Sequence, residues 1–307
     1  MTMRAPLPRR ALTAGSALAV TLTLAVGCGS ETDDATLATA PPSSPPTSTV
    51  TEATTDNAAV VEPLAGHYVP EVVAAHPHDA RSFTQGLEWY GDRLLESRGL
   101  RGASSLALLD PATGEADWLV NLADTDLFAE GLTVIEAEDR DRVLQLTWTS
   151  RTLLTTDLPN ADDPLPPTYR RQDDAYDGEG WGLCNDGSRL VMSNGSSLLV
   201  FRRFDDFSAI GSVEVTLNGL PVEQLNELEC VGGQVLANVW QSNTIVVIDP
   251  DTGIVEATID ASNLVPDGYE NSTDDVLNGI AHHPERGTFW LTGKRWPTLY
   301  EVRFVRS

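Results

Sequence analysis

The chain has 307 residues, 41% of them hydrophobic, and a net charge of −25. It is long enough to bury a full-size core. So large an acidic excess repels phosphate and anionic headgroups, which excludes nucleic-acid binding and electrostatic adhesion to an anionic membrane.

The N-terminus reads differently from the rest. "MTMRAPLPRR" is basic, and "ALTAGSALAVTLTLAV" is an apolar run of signal-peptide length. "AVGC" then ends at Cys28 in a pattern that resembles a lipobox, with Gly27 before the cysteine and Ala25 where leucine is commoner. The apolar run falls short of the roughly 20 residues that a membrane span needs. Residues 1–27 are therefore expected to be a lipoprotein-type signal peptide, removed to leave a lipidated Cys28. Arg9 and Arg10 are compatible with twin-arginine export. Residues 28–64 are rich in Ser, Thr and Pro, with almost nothing to bury, and are expected to be a disordered tether. These features predict an extracytoplasmic lipoprotein of the cell membrane, or a secreted protein, that touches the membrane only through its lipid.

From residue 65 to 307 the chain repeats. A polar residue followed by a small or apolar one opens an apolar run at "QGLEW" (Gln85), "EGLTV" (Glu130), "EGWGL" (Glu179), "NELEC" (Asn226) and "NGIAHH" (Asn278), at intervals of 45, 49, 47 and 52 residues. Behind each comes a second run, from "DRLLESRG" to "GTFWLTGK", and then a third, from "SLALLDPATG" to "TLYEVRF". The runs are short, often alternating, and separated by GD, DG, GG and DPxTG turns, so they read as strands. A period near 48 residues with four short strands per unit predicts a β-propeller blade, and five periods predict five blades. The fifth copy stops after its third strand, and "HYVPEVVAAHP" (67–77) is the segment expected to complete it and close the ring. Equal spacing disfavours a β-sandwich pair. In such a ring the five opening residues are expected around one mouth of the central channel. For Glu179 and Asn278 the favoured role is capping of backbone groups.

Lys294, in "LTGKRWP", is the single lysine of the sequence; the other basic side chains are arginines. Two cysteines, Cys184 and Cys230, lie in the repeat region. They form no zinc signature, and buried free thiols are the favoured reading over a disulfide. His282 and His283 sit side by side on a predicted strand, point to opposite faces, and are read as structural.

"PHDARSFTQGLEW", "LFAEGLT", "DGEGWGL", "LNELE", "ANVWQSNTIVVIDPDTG", "VLNGIAHHPE" and "LTGKRWPTLYEV" resemble, in order, the signatures of the plant- and bacterial-type glutaminyl-peptide cyclotransferases. The resemblance implies a five-bladed propeller enzyme that converts the N-terminal glutamine of a peptide or protein to pyroglutamate and releases ammonia, with no metal and no other cofactor. It implies catalytic roles for Glu130, Lys294, Asn226 and Gln85, and a substrate pocket of Phe83, Phe128, Trp148, Trp181 and Trp240. Glu130 is the expected acid–base group, and Lys294, Asn226 and Gln85 the expected donors to the oxyanion. The enzyme is expected to act as a monomer. The competing reading is a non-catalytic propeller that binds a peptide or protein partner on its ring face.

Overall fold

The computed structural model describes residues 62–160 and 167–307. The predicted signal peptide, Cys28 and the tether up to residue 61 lie outside the described residues.

The fold is all-β. Among the described residues the helical structure is one 3-10 turn, Ser262–Leu264. After β1 (Gly66–Pro77), the strands β2 (Thr84–Tyr90), β3 (Arg93–Arg98), β4 (Ser105–Leu109) and β5 (Ala116–Asn121) pair in order into an antiparallel sheet. So do β6 (Ala129–Ile135), β7 (Arg142–Thr147), β8 (Leu153–Asp157) and β9 (Tyr169–Gln172). A third sheet holds β10 (Leu183–Asn185), β11 (Leu190–Met192), β12 (Leu198–Arg202) and β13 (Ala209–Glu214), followed by a small hairpin of β14 (Thr216–Leu217) and β15 (Leu220–Pro221). The remaining strands are β16 (Leu225–Val231), β17 (Gln234–Val239), β18 (Thr244–Ile248), β19 (Val255–Asp260), β20 (Leu277–His283), β21 (Thr288–Gly293) and β22 (Thr298–Arg306).

The sequence predicts five separate four-stranded units; the structure has three, and one eight-stranded sheet of order β16-β17-β18-β19-β1-β22-β21-β20. The junction is β1. It runs antiparallel to β22 from Tyr68↔Arg306 to Pro77↔Thr298, and its first residues also pair in parallel with β19, Gly66↔Ala257 to Tyr68↔Ile259. At 12 residues β1 is long enough to do both.

In each of the three four-stranded sheets burial falls from the first strand to the last. β6 is buried almost throughout, whereas β9 and β13 are mostly exposed. Arg170 and Arg171 on β9 place charge on that outer edge, which discourages pairing with a second chain. The first strands also touch one another in a closed cycle: β2 with β6, β6 with β10, β10 with β16, β16 with β20, and β20 with β2. They approach closely. A Cβ on Gly131 would lie 2.6 Å from the backbone of Trp181 and Leu183, and one on Gly182 would lie 2.0 Å from the Asn226 carbonyl oxygen. Where the fourth repeat has Glu227 instead, its buried carboxylate accepts from the backbone N–H of Leu87 (3.2 Å) and of Ile280 (2.9 Å), tying β16 to β2 and β20. Cys184 of β10 and Cys230 of β16 form a disulfide, Cα–Cα 5.5 Å, which corrects the expectation of free thiols. The adjacency of two first strands 46 residues apart is what brings them together.

Gly182→Ala is therefore expected to lose about 1–3 kcal/mol or more of stability in urea unfolding, because the new methyl meets backbone that cannot step aside. Gly211→Ala, whose methyl would have its nearest neighbour at 3.6 Å, is the control and should change stability by less than about 1 kcal/mol.

Candidate active site

Four of the five first strands carry a register irregularity at their opening residues: between Thr84 and Gly86, Ala129 and Leu132, Leu225 and Leu228, and Leu277 and Ile280. Bulges re-aim side chains. Here they carry Gln85, Glu130, Asn226 and Asn278, each 5% exposed or less. The third repeat is different. The close approach of Gly131 to Gly182 shows that Trp181, not Glu179, holds the position equivalent to Glu130. Two glycines in "EGWGL" made the register ambiguous, and the first was the wrong one to align.

One cavity of about 370 Å³ is lined by all nine pocket residues singled out from the sequence: Phe83, Gln85, Phe128, Glu130, Trp148, Trp181, Asn226, Trp240 and Lys294. Leu100, Asp274 and Arg295 complete it. Sequence reasoning missed these three. Arg295 carried one signal, its adjacency to Lys294; an acid in an acid-rich loop and a leucine after β3 carried none.

Glu130 Oε1 accepts a hydrogen bond from Gln85 Nε2 at 2.9 Å, and Gln85 Oε1 accepts one from Asn278 Nδ2 at 3.3 Å. One N–H of Gln85, an expected donor to the oxyanion, is thus engaged by the Glu130 carboxyl. Asn278 also donates to the Thr84 carbonyl at 2.9 Å, the backbone role expected of it. Below Glu130, the Ser97 hydroxyl donates to its carbonyl and is itself bonded by Gln145 Nε2. Asn226 is fixed through its carbonyl, which accepts from the Ser193 hydroxyl at 2.6 Å, while its side-chain Oδ1 is buried with no partner.

Lys294 follows β21 in a tight turn. Its N–H donates to Val276 O, and Arg295 takes φ +58° with its N–H on Ser82 O. Trp296, wholly buried, lays its indole on Gly293 and donates from Nε1 to Asp275 O. The carbonyl of Trp296 is bonded by the buried His78, whose Nε2 meets Glu96 at 2.9 Å. Burial opposes both charges of that pair, but Glu96 raises the imidazole's pKa, and His78 with Arg98 holds Glu96 at about 2. Anchored this way, the Lys294 ammonium stands 5.1 Å from the centre of the Phe83 ring and is 4% exposed. The Arg295 guanidinium lies over the same ring and is paired with Asp275.

Burial lifts the Glu130 carboxyl well above the usual carboxylate range; Lys294 draws it down and Glu179 pushes it up. Burial also lowers the Lys294 ammonium to about 8, against the pull of Glu130 and Asp274. The cavity thus holds an acid of raised pKa and a cation whose pKa is lowered to about 8. Around them the aromatics meet edge to face: Phe83 with Phe128, Phe128 with Trp148, and Trp181 with Trp240. His282 and His283 lie outside this cavity. His283 stacks on Trp89 at 4.1 Å and His282 contacts Phe289, in keeping with structural roles.

Comparison with known proteins extends the picture. The sequence profile of the glutamine cyclotransferase family matches residues 46–304. A glutaminyl-peptide cyclotransferase of Arabidopsis thaliana is 38% identical over 242 residues, covering 77% of this chain and 72% of that protein. The crystal structure of Myxococcus xanthus glutaminyl cyclase matches with a TM-score of 0.68 at 38% identity, covering 79% of this chain and 98% of that one. The profile spans most of the described repeats and both relatives agree with it, so the chain belongs to the glutamine cyclotransferase family.

Proposed function

We propose that the protein is a glutaminyl-peptide cyclotransferase that closes the N-terminal glutamine of peptides or proteins into pyroglutamate and releases ammonia. The observation that carries this reading is the buried Glu130 sharing one aromatic-lined cavity of about 370 Å³ with a buried Lys294. We also read the sheets as five propeller blades. The eight-stranded sheet is then two blades joined through β1, and the closed cycle of first strands supports this division.

In the reaction the neutral α-amine attacks the γ-carboxamide carbon of its own side chain. A five-membered ring forms, so holding the side chain folded back supplies much of the rate. Gln85 occupies Oε1 of Glu130, which turns Oε2 to the substrate. Glu130 accepts the proton the amine sheds and returns it to the departing nitrogen, which leaves as ammonia. Its raised pKa suits a group that must do both. Lys294, still charged at neutral pH, stabilises the oxyanion, with the Asn226 amide beside it. The ammonium is a compact point charge, which fits one oxygen better than a planar guanidinium does. The aromatic walls pack on the glutamine methylenes and exclude water. The lipid-anchored, extracytoplasmic reading rests on the segment up to Cys28 and on the disulfide, which suits an oxidising compartment.

The direct test incubates the protein with a Gln-initiated peptide and follows ammonia. Turnover no faster than spontaneous cyclisation would leave the non-catalytic binding module as the better reading. Glu130→Gln should lower kcat by about 100-fold or more.

Lys294 generates a pH prediction. With its pKa at about 8, the charged form is present below that pH and is lost above it. The substrate amine, with an ordinary pKa of about 7.7–8.0, becomes reactive in the opposite direction. The pH profile of kcat/KM is expected to be bell-shaped with its basic limb set by Lys294. Lys294→Met should cost about 100-fold or more in kcat. Lys294→Arg should be slower than wild type and lack the basic limb, since a guanidinium does not titrate there; a basic limb retained in that variant assigns it to another group.

A further inference from the structure

We propose that Glu179 is a positioning residue that joins the two aromatic walls of the cavity and so sets the width available to the glutamine side chain. The proposal rests on the cyclotransferase reading of the site. One wall is the chain Phe83–Phe128–Trp148 and the other is the pair Trp181–Trp240, each linked ring to ring by edge contacts. Ring contact between the walls is absent among the described residues. Glu179 provides the link: its Oε2 accepts from Trp148 Nε1 at 2.6 Å and from Trp181 Nε1 at 2.9 Å.

The two indoles need this. Trp148 stands just beyond the end of β7, 37% exposed, with Phe128 on one side and the Arg101 guanidinium 6.0 Å from its ring centre. Trp181 precedes β10, on the neighbouring sheet, and lies against the backbone at Gly195. A neutral acceptor serving two indoles is weaker than a carboxylate, because hydrogen bonds to an ionised group are shorter and stronger. The position of Glu179 follows from the register correction: two residues ahead of Trp181, it stands outside the hub position and reaches the rim. Among the described residues its side chain bonds to the two tryptophans and not to the backbone groups expected for it. Its charge also bears on Glu130, keeping that acid harder to ionise.

The test compares Glu179→Leu and Glu179→Gln with wild type in steady-state turnover of a Gln-initiated tripeptide, and in ¹⁵N spectra of the seven tryptophan indole N–H groups. In the Leu variant, two indole resonances should move and KM should rise about 10-fold, with a smaller fall in kcat, the scale of lost charge-assisted hydrogen bonds. The Gln variant retains a carbonyl acceptor. It should restore both resonances and bring KM to within about 3-fold of wild type. Indole resonances unmoved in the Leu variant overturn the clamp. Resonances that move with KM unchanged reduce it to a structural bond and overturn the positioning role. An inactive wild-type chain would be a failure of the cyclotransferase reading, visible before any variant is compared; the clamp then stands or falls on the indole resonances alone.

Discussion

The structure depends on how closely the first strands of its repeats converge. In the first three repeats the residue after the opening side chain is a glycine, Gly86, Gly131 or Gly182, where a Cβ would lie within 3 Å of neighbouring backbone. Backbone packed this tightly leaves its N–H groups few partners, and unpaired buried donors are costly. Buried and half-buried carboxylates fill that need. Glu227 serves β2 and β20 together, Glu88 accepts from Val134, and Glu229 accepts from His282. Burial raises the pKa of each, with Glu88 at about 7 and the other two well above the usual range. The hub is therefore held in part by polar bonds between its strands.

The register irregularities turn four polar side chains toward one end of the hub, and the chemistry grows from their surroundings. Glu130 and Lys294 are each too buried to be comfortable as ions. Each is also the other's partner: Glu130 raises the Lys294 pKa while Lys294 lowers that of Glu130. Desolvation is the larger influence on both. It brings an ordinary acid and an ordinary base toward a common pH, where one can exchange protons and the other can hold charge. Aromatic rings supply that desolvation without competing hydrogen bonds. The tight turn from Gly293 to Trp296, fixed from behind by His78 and Glu96, keeps the ammonium from swinging into solvent.

Much of the candidate site was legible because its residues sit in short motifs. Phe83 with Gln85, Phe128 with Glu130, and Lys294 each lie within a few residues of a glycine that the hub requires or that a buried ring covers. Residues whose importance comes from what they touch left no such mark. Glu179 looked like a repeat of Glu130 because both precede a glycine, yet it belongs to the tryptophans on either side of it. Gln85 reads in the sequence as a donor alone, whereas in space it also holds the Glu130 carboxyl. Asp274 and Leu100 reach the cavity from loops whose composition is unremarkable.

By itself the sequence determined the strand content, the repeat near 48 residues, the segment that pairs with the last strand, and the family. All of these are local: alternation, turn residues and short motifs act over a few neighbours and need no knowledge of distant chain. The tertiary structure decided the register of the third repeat, the joining of two sheets through β1, the disulfide, and the shifted pKa values of Glu130 and Lys294. Burial and Coulomb interactions depend on distance in space, and only the closed cycle of strands brings residues as far apart as 85, 130, 226 and 294 to one cavity.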